Sequence, residues 1–453
     1  MKMLRLAVLF LLLSIAGCAG AQGATSTPSM PAAGTPAAPA TSIPAPASPG
    51  TVQSTELPAT ATSAPDAPSN TPPAPTNANS SPTAAPATVA APVAAATATG
   101  APAAPTRVIP PPGTINLPPG FGTSVFAEGL ASPRNIVIGP DGQLYAAERG
   151  AGRIVRLPDR NRDGVADGVE VIASGFDRPS SLAFSRDGSL YVSTPTQVYK
   201  LSQPDANGVF QKRDLVIDGL PSAQDHFTRT LLFSPDWSSL FIQAGSSCNV
   251  CVESDSRRAA VLRFNPDGTG GGIYAKGLRN AVGLAFRPDT NELWATNNGS
   301  DNLGDDRPPD TIQILQQGQD YGWPRCHAGT IVDPQFGGAT GCSGVAQPLV
   351  NIQAHSAALG LAFYTGSQFP KDYSGDLFVA LHGSIYRSVP TGYKVVRIHL
   401  TNGQPGPVED FATGWLSGGR AWGRPVDLVT APDGSLLISD DSGGRIFRIF
   451  YHG

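Results

Sequence analysis

Short apolar runs alternate with turn residues along residues 117–451. One phrase recurs six times. It reads Pro140-Asp141-Gly142-Gln143-Leu144-Tyr145, then Arg186-Asp187-Gly188-Ser189-Leu190-Tyr191, then Pro235-Asp236-Trp237-Ser238-Ser239-Leu240-Phe241. It returns as Pro288-Asp289-Thr290-Asn291-Glu292-Leu293-Trp294, as the degenerate Gly375-Asp376-Leu377-Phe378, and as Pro432-Asp433-Gly434-Ser435-Leu436-Leu437. Each copy is a turn that feeds a short strand. A strand such as Asn135-Ile136-Val137-Ile138 precedes the turn, one such as Arg153-Ile154-Val155-Arg156 follows, and one such as Val171-Ile172-Ala173-Ser174 completes the unit. Long helical periodicity is absent. Four-stranded units at this spacing predict an all-β, six-bladed β-propeller over residues 113–453, with strands A to D running outward from the axis. The unit begins out of phase: Val125-Phe126-Ala127-Glu128 is a D-type strand, and the chain ends on a C-type strand near Ile449. The first strand is therefore expected to complete the last blade and so cover an edge.

The polar positions follow the same period. The D-to-A and B-to-C loops of a propeller open on one face around the axis. Just ahead of successive A strands stand Arg134-Asn135, Ser180-Ser181, Asp225-His226 with Arg229, Arg279-Asn280, His355-Ser356 and Arg424. The B-strand exits on that face carry Glu148-Arg149, Gly245-Ser246, Asn298-Gly299-Ser300-Asp301, His382-Gly383-Ser384 and Asp440-Asp441. Arginine forks match planar carboxylates and carbonyl oxygens, and histidine titrates near neutrality. One such group alone is as readily a turn or blade-to-blade contact. Several at one phase imply a shared central pocket.

The N-terminal part has a different composition. The chain opens with Lys2 and Arg5, followed by an apolar run from Leu4 to Ile15, too short to span a bilayer, which ends in Ile15-Ala16-Gly17-Cys18. This arrangement resembles a lipoprotein box, so residues 1–17 are expected to be a signal peptide and Cys18 to carry lipid, anchoring an exported protein to a bacterial membrane. Residues 18–112 are dominated by Ala, Pro, Thr, Ser and Gly, and no aromatic residue lies between Phe10 and Phe121. Such a segment cannot bury enough apolar area to offset its ordering entropy and reads as a disordered tether. The formal net charge of −4 leaves no basic surplus for nucleic acid. With Cys18 lipidated, Cys248, Cys251, Cys326 and Cys342 remain, and export favours local disulfides, Cys248 with Cys251 and Cys326 with Cys342. A zinc site from these four is the alternative.

Five motifs carry a more specific likeness: Gly277-Leu278-Arg279-Asn280, Tyr321-Gly322-Trp323-Pro324, Ala354-His355-Ser356-Ala357, Leu381-His382-Gly383-Ser384 and Trp422-Gly423-Arg424-Pro425-Val426-Asp427. Together they resemble the sorbosone and pyranose dehydrogenase family, which is related to soluble quinoprotein glucose dehydrogenase. The resemblance implies pyrroloquinoline quinone and calcium on the propeller axis. It also implies oxidation of a small sugar, polyol or aldehyde, with electrons passed to an external acceptor. His226 then stands as the general base, Arg279 as the cation at the quinone oxygen and Asn280 as its partner. The carbonyls of Gly299 and Ser300 match the axial calcium ligands. Arg134, His382 and Arg424 stand where the quinone carboxylates are gripped, with Arg229 and His355 as further cofactor-side candidates. Many relatives have His-Gly where this chain has Ser180-Ser181, and often Trp-Asn-Arg where it has Ile385-Tyr386-Arg387.

One further stretch, residues 159–170, fits calcium-loop spacing, with Asp159, Asn161, Asp163, Asp167 and Glu170 as candidate ligands. A plain acidic hairpin turn is the competing assignment, and neither is catalytic. A calcium-dependent lactonase and a non-enzymatic binding propeller are the alternatives for the domain as a whole. The lipid assignment is directly testable: Cys18→Ser should release or misprocess the protein, and wild-type protein that stays soluble without incorporating an acyl label would overturn it.

Overall fold

The aspartate of the repeated phrase sets four of the six turns. The N–H of Gln143 donates to Asp141 Oδ1 at 3.1 Å. Ser189 donates to Asp187 at 3.0 Å, Ser238 to Asp236 at 3.1 Å and Ser435 to Asp433 at 2.9 Å. These are Asx turns, in which a short carboxylate replaces a backbone acceptor. The next residue is left-handed: Gly142, Gly188 and Gly434 have φ of 73°, 78° and 86°. Trp237 takes the same place at φ 64°, a conformation that costs a non-glycine residue about 1–2 kcal/mol.

The computed structural model of the protein describes residues 108, 111–221 and 225–453; the expected signal peptide, the lipidated Cys18 and all of the tether but residues 108, 111 and 112 lie outside the described residues. Six four-stranded antiparallel sheets form the ring. Their A strands are Pro133–Ile138, Ser181–Phe184, Leu231–Phe233, Leu284–Phe286, Ala358–Phe363 and Pro425–Thr430. Among the described residues no α-helix forms, and Lys371–Tyr373 makes one 3₁₀ turn. The closure is as the phase of the repeats predicts. Phe121–Glu128 pairs with Arg445–Tyr451, so blade 6 takes its outer strand from the start of the domain.

Strand alternation explains why the blades stack. In the blade 1 strand Leu144–Glu148, Leu144 and Ala146 face blade 6, while Tyr145 and Ala147 face blade 2. Each blade is therefore apolar on both faces. Six apolar clusters result, one at each blade-to-blade interface.

A belt of hydrogen bonds near the axis fixes how the blades dock. Asn135 of blade 1 donates to Asp427 of blade 6 at 2.6 Å and accepts from the Leu182 N–H of blade 2 at 2.7 Å. The Leu231 N–H of blade 3 donates to Ser181 Oγ at 3.0 Å. Thr230 reaches the Val282 carbonyl at 2.5 Å, and Thr296 the Leu359 carbonyl at 2.7 Å. Gly360 leaves room for Asp427, because a Cβ there would lie 2.2 Å from its Oδ1. Burial pushes the Asp427 carboxyl up to about 6.

The closure predicts the outcome of a truncation. Val125 and Phe126 are buried in the last blade interfaces, and their two side chains alone contribute about 3–6 kcal/mol. Removing residues 117–130 should abolish cooperative folding or lower the melting temperature sharply. A truncated chain that melts like the intact one would refute the shared blade.

Candidate functional site

A cavity of about 360 Å³ opens on the face where the D-to-A and B-to-C loops meet, within the usual range for small-molecule sites. Arg134, Arg149, Arg279 and Arg424 line it, with His226, His355 and His382. Val282 and Leu359, packed with Val426 across the axis, form an apolar floor. Beneath them an axial channel of about 380 Å³, lined largely by A-strand apolar side chains, leads toward the opposite face.

His226 sits in the loop before the blade 3 A strand, at φ 45°. Its Nδ1 lies 3.0 Å from both the carbonyl and the hydroxyl oxygen of Ser246. A carbonyl can only accept, so Nδ1 carries the proton. The Ser246 hydroxyl donates onward to the Cys248 carbonyl at 2.6 Å, which leaves its oxygen free to accept as well. Nε2 is then the unprotonated nitrogen, and it has no protein partner among the described residues. Burial pulls the imidazole down to about 3, with the nearby Arg279 charge adding to the effect. Gly245 makes this approach possible, because a Cβ there would lie 2.6 Å from the His226 Cβ and 2.7 Å from Asn280 Oδ1.

Arg279 is buried beside it. Its Nη2 donates to Asp301 Oδ2 at 2.8 Å and to Asn249 Oδ1 at 3.0 Å, and its Nε donates to the Asn249 carbonyl at 3.0 Å. Burial lowers its pKa, opposed by Asp301. Asn280 follows it on the wall and donates to Asn298 Oδ1 at 3.2 Å. Across the cavity Asp441 bridges Arg134 and His382, at 2.8 Å from each. Those two partners hold its carboxyl far below the usual range against burial, while burial draws His382 down to about 4. Arg424 donates to the carbonyls of His382 and Gly383, both at 2.9 Å, and meets no carboxylate among the described residues. The Arg149 side chain forms no ion pair or hydrogen bond among the described residues, and its guanidinium lies 5.6 Å from the Phe227 ring. His355, at φ 63°, bonds the Gly304 carbonyl at 2.9 Å and stands 3.7 Å from Asp301.

Two expected groups sit elsewhere. Arg229 does not reach the cavity wall; its buried guanidinium donates to the carbonyls of Pro221, His226 and Thr228, bracing the loop behind His226. Ser180 and Ser181 serve the blade interface, accepting from the N–H groups of Arg229 and Leu231. Gly299 lines the cavity, with its N–H on the buried carboxylate of Asp310 at 2.8 Å. The Ser300 side chain turns behind it, 3.1 Å from His327 Nδ1. The carbonyls of Gly299 and Ser300 accept no hydrogen bond among the described residues.

In the candidate calcium loop the side chains make local hydrogen bonds. Asp159 accepts from the N–H groups of Asp163 and Gly164, Asp163 from that of Val165, and Asp167 from that of Arg160. Asn161 Oδ1 accepts from Asp163 as well. Glu170 stands opposite Arg156 across the strand pair, and both Arg156 and Arg160 hold its carboxylate. Among the described residues, three ligand-type atoms come within mutual reach only at Cys248, Cys251 and Glu253. There the two cysteines are joined in a disulfide, as are Cys326 and Cys342. A zinc site would need their thiolates, so disulfide formation excludes it.

The repeat phase puts Arg149, Asp301 and Asp441 on this face without assigning them a role. Asp310, pushed up to about 6 by burial, and Asn249 carry no sequence signal beyond their neighbours.

A family model described as TrAA12-like matches residues 115–336 and 335–451. The pyrroloquinoline quinone-dependent pyranose dehydrogenase of Coprinopsis cinerea is 25% identical over 407 residues, covering 73% of this chain but 54% of that protein, so the chain spans about half of this relative's length. The pyrroloquinoline quinone-dependent sugar dehydrogenase of Hypocrea jecorina is 26% identical over 391 residues, covering 71% of this chain and 86% of that protein. The solved holo form of the Coprinopsis cinerea pyranose dehydrogenase PQQ domain has the same fold, with a TM-score of 0.65 at 23% identity over 78% of this chain and 99% of that one. The matched segments take in every blade and every loop that lines the cavity, and on that ground the chain belongs to the TrAA12-like family.

Proposed function

We propose that this protein oxidises a sugar or a related polyol or aldehyde by hydride transfer to pyrroloquinoline quinone, with calcium bound beside the quinone. The observation that carries the proposal is a neutral imidazole with an unbonded Nε2, next to a buried arginine, in one cation-rich cavity.

The residues present fit these groups. Arg149 and Arg424 have no carboxylate partner among the described residues, so the cavity holds positive charge suited to an anion with several carboxylates. The apolar floor of Val282 and Leu359 suits the face of a planar ring. Gly299 and Ser300 offer uncommitted carbonyl oxygens, which a hard cation prefers. When bound, the quinone supplies the hydride acceptor and the calcium ion supplies charge at the quinone oxygens.

The protein's own groups do the rest. His226 Nε2 takes the proton of the substrate hydroxyl as its carbon gives up hydride. The Ser246 carbonyl keeps the proton on Nδ1 and stabilises the imidazolium that forms. Arg279 provides positive charge where negative charge develops. Arg134, Arg149 and Arg424 hold and orient the anion, and the floor excludes water. The names of the relatives supply the sugar class. Electrons leave to an external acceptor. We further propose that lipid on Cys18 holds the domain at a membrane outside the cytoplasm.

His226→Ala should cut turnover per mole of bound quinone by roughly 10²–10⁴-fold, the weight of a positioned base, while quinone binding survives. Arg279→Ala should lower both turnover and quinone affinity. Wild-type protein that binds no quinone and reduces no dye across a panel of aldoses would favour a binding propeller instead.

The depressed imidazole also sets a pH dependence. The unfolded chain takes up this proton near 6.5 and the native protein only near 3. The contribution of His226 to stability is therefore complete above that window and is lost as pH falls through it. In the quinone-free protein the His226 ring should therefore show no titration near 6.5 when its ring signals are followed by NMR against pH. A ring titration near 6.5 in the quinone-free protein would contradict a neutral, buried base.

A further inference from the structure

Arg279 donates three hydrogen bonds, and two of them go to Asn249. The third goes to Asp301, and Asn249 holds that residue too. The Asp301 N–H donates to Asn249 Oδ1 at 2.8 Å, and Asn249 Nδ2 donates to the Asp301 carbonyl at 3.1 Å. The Asn249 carbonyl accepts a further bond from Trp323 Nε1 at 3.1 Å. One side chain and its own carbonyl thus fix both members of the Arg279–Asp301 ion pair and tie them to the Tyr321-Gly322-Trp323-Pro324 segment.

Asn249 is itself held by a covalent device. It lies in Cys248-Asn249-Val250-Cys251, closed by the Cys248–Cys251 disulfide. The loop has little core of its own: the four residues of the ring are partly exposed, and the adjoining Val252 is 77% exposed. Glu253 adds a clasp, accepting from the Ser247 N–H at 2.6 Å and from its hydroxyl at 2.7 Å. The same loop starts at Ser246, whose carbonyl and hydroxyl orient His226 and whose hydroxyl donates to the Cys248 carbonyl. The base and the cation of the cavity are therefore both aimed by one short cross-linked loop.

We propose that Asn249 is a positioning residue for the reaction, acting through Arg279, and that the Cys248–Cys251 disulfide holds it in place. The proposal rests on the assignment of Arg279 to the quinone oxygen. A cross-link suits this site because the loop must hold a backbone carbonyl on a buried guanidinium with almost no apolar packing to fix it. The competing account makes Asn249 a turn residue that contributes stability alone.

The test uses the full chain reconstituted with pyrroloquinoline quinone and calcium. Asn249→Ala, Asn249→Asp and the pair Cys248→Ser/Cys251→Ser are made in wild-type and Arg279→Lys backgrounds. Melting temperature, quinone Kd by absorbance titration of the quinone-free chain, and kcat and KM for an aldose are measured. Asn249→Ala should lower kcat by about 10–100-fold, as a displaced catalytic group does, weaken quinone binding, and change KM less. In the Arg279→Lys background it should cost little further, since residues acting as one unit are not additive. Asn249→Asp keeps an acceptor oxygen toward Arg279 and should recover most of the loss. The cysteine pair should shift kcat and Kd in the same direction and be non-additive with Asn249→Ala. The proposal is overturned if Asn249→Ala moves only the melting temperature, or if its effects on kcat and Kd add fully to those of Arg279→Lys. Wild-type protein that binds no quinone and oxidises no aldose would instead overturn the functional assignment itself, and the role of Asn249 with it.

Discussion

The ring must close before the site exists. Blade 6 takes its outer strand from residues 121–128 and its other three from the end of the chain. Arg134 and Asp441, 307 positions apart, meet only when that pairing is made. Asp441 then carries His382 from blade 5, and His382 and its neighbour Gly383 offer their carbonyls to Arg424 of blade 6. Two cavity arginines and a histidine, from three blades, are thus held through one carboxylate that closure delivers. The same seam is sealed below by Asn135 on Asp427 and by Ser439 on the Arg134 carbonyl at 2.6 Å. Closure matters twice: it covers the edge that Arg445–Tyr451 would otherwise expose, and it sets the spacing of the polar loops on the axis.

The blades were legible because their physics is local. An aspartate that caps its own turn and a period-two strand need no knowledge of the rest of the chain. Phase along the repeat then gives the face on which a loop opens. Phase does not give the direction of a side chain. Arg134 and Arg229 occupy matching places, yet Arg134 lines the cavity while Arg229 turns back onto three carbonyls. The loop at 159–170 shows the same limit. Its spacing matches a calcium loop, but the hairpin register sets Glu170 opposite Arg156, and the twelfth-position ligand is spent on an ion pair. Asn249 escapes sequence reading for another reason. Half of its work is done by a main-chain carbonyl, which every residue has.

The cavity concentrates cations, and the cost of that choice is handled unevenly. Arg134 and Arg279 each meet an aspartate at 2.8 Å. Arg149 and Arg424 meet none among the described residues, although burial and the charge of Arg134 both lower the pKa of Arg149. Arg149 and Arg424 are both only partly buried, so their charge stays available in the cavity without the full cost of an unpaired buried ion. The His226 imidazole belongs to the same field. After burial, Arg279 is the next cause of its low pKa. An anionic ligand bound in the cavity would offset part of that positive charge, and the imidazole would become a stronger base. A base depressed too far binds a proton too weakly to abstract one well, and efficiency peaks when its pKa approaches the working pH. The Arg279 charge that helps make the free site a poor proton acceptor is therefore also one that would attract the anion able to offset it, which would couple occupancy of the cavity to competence of the base.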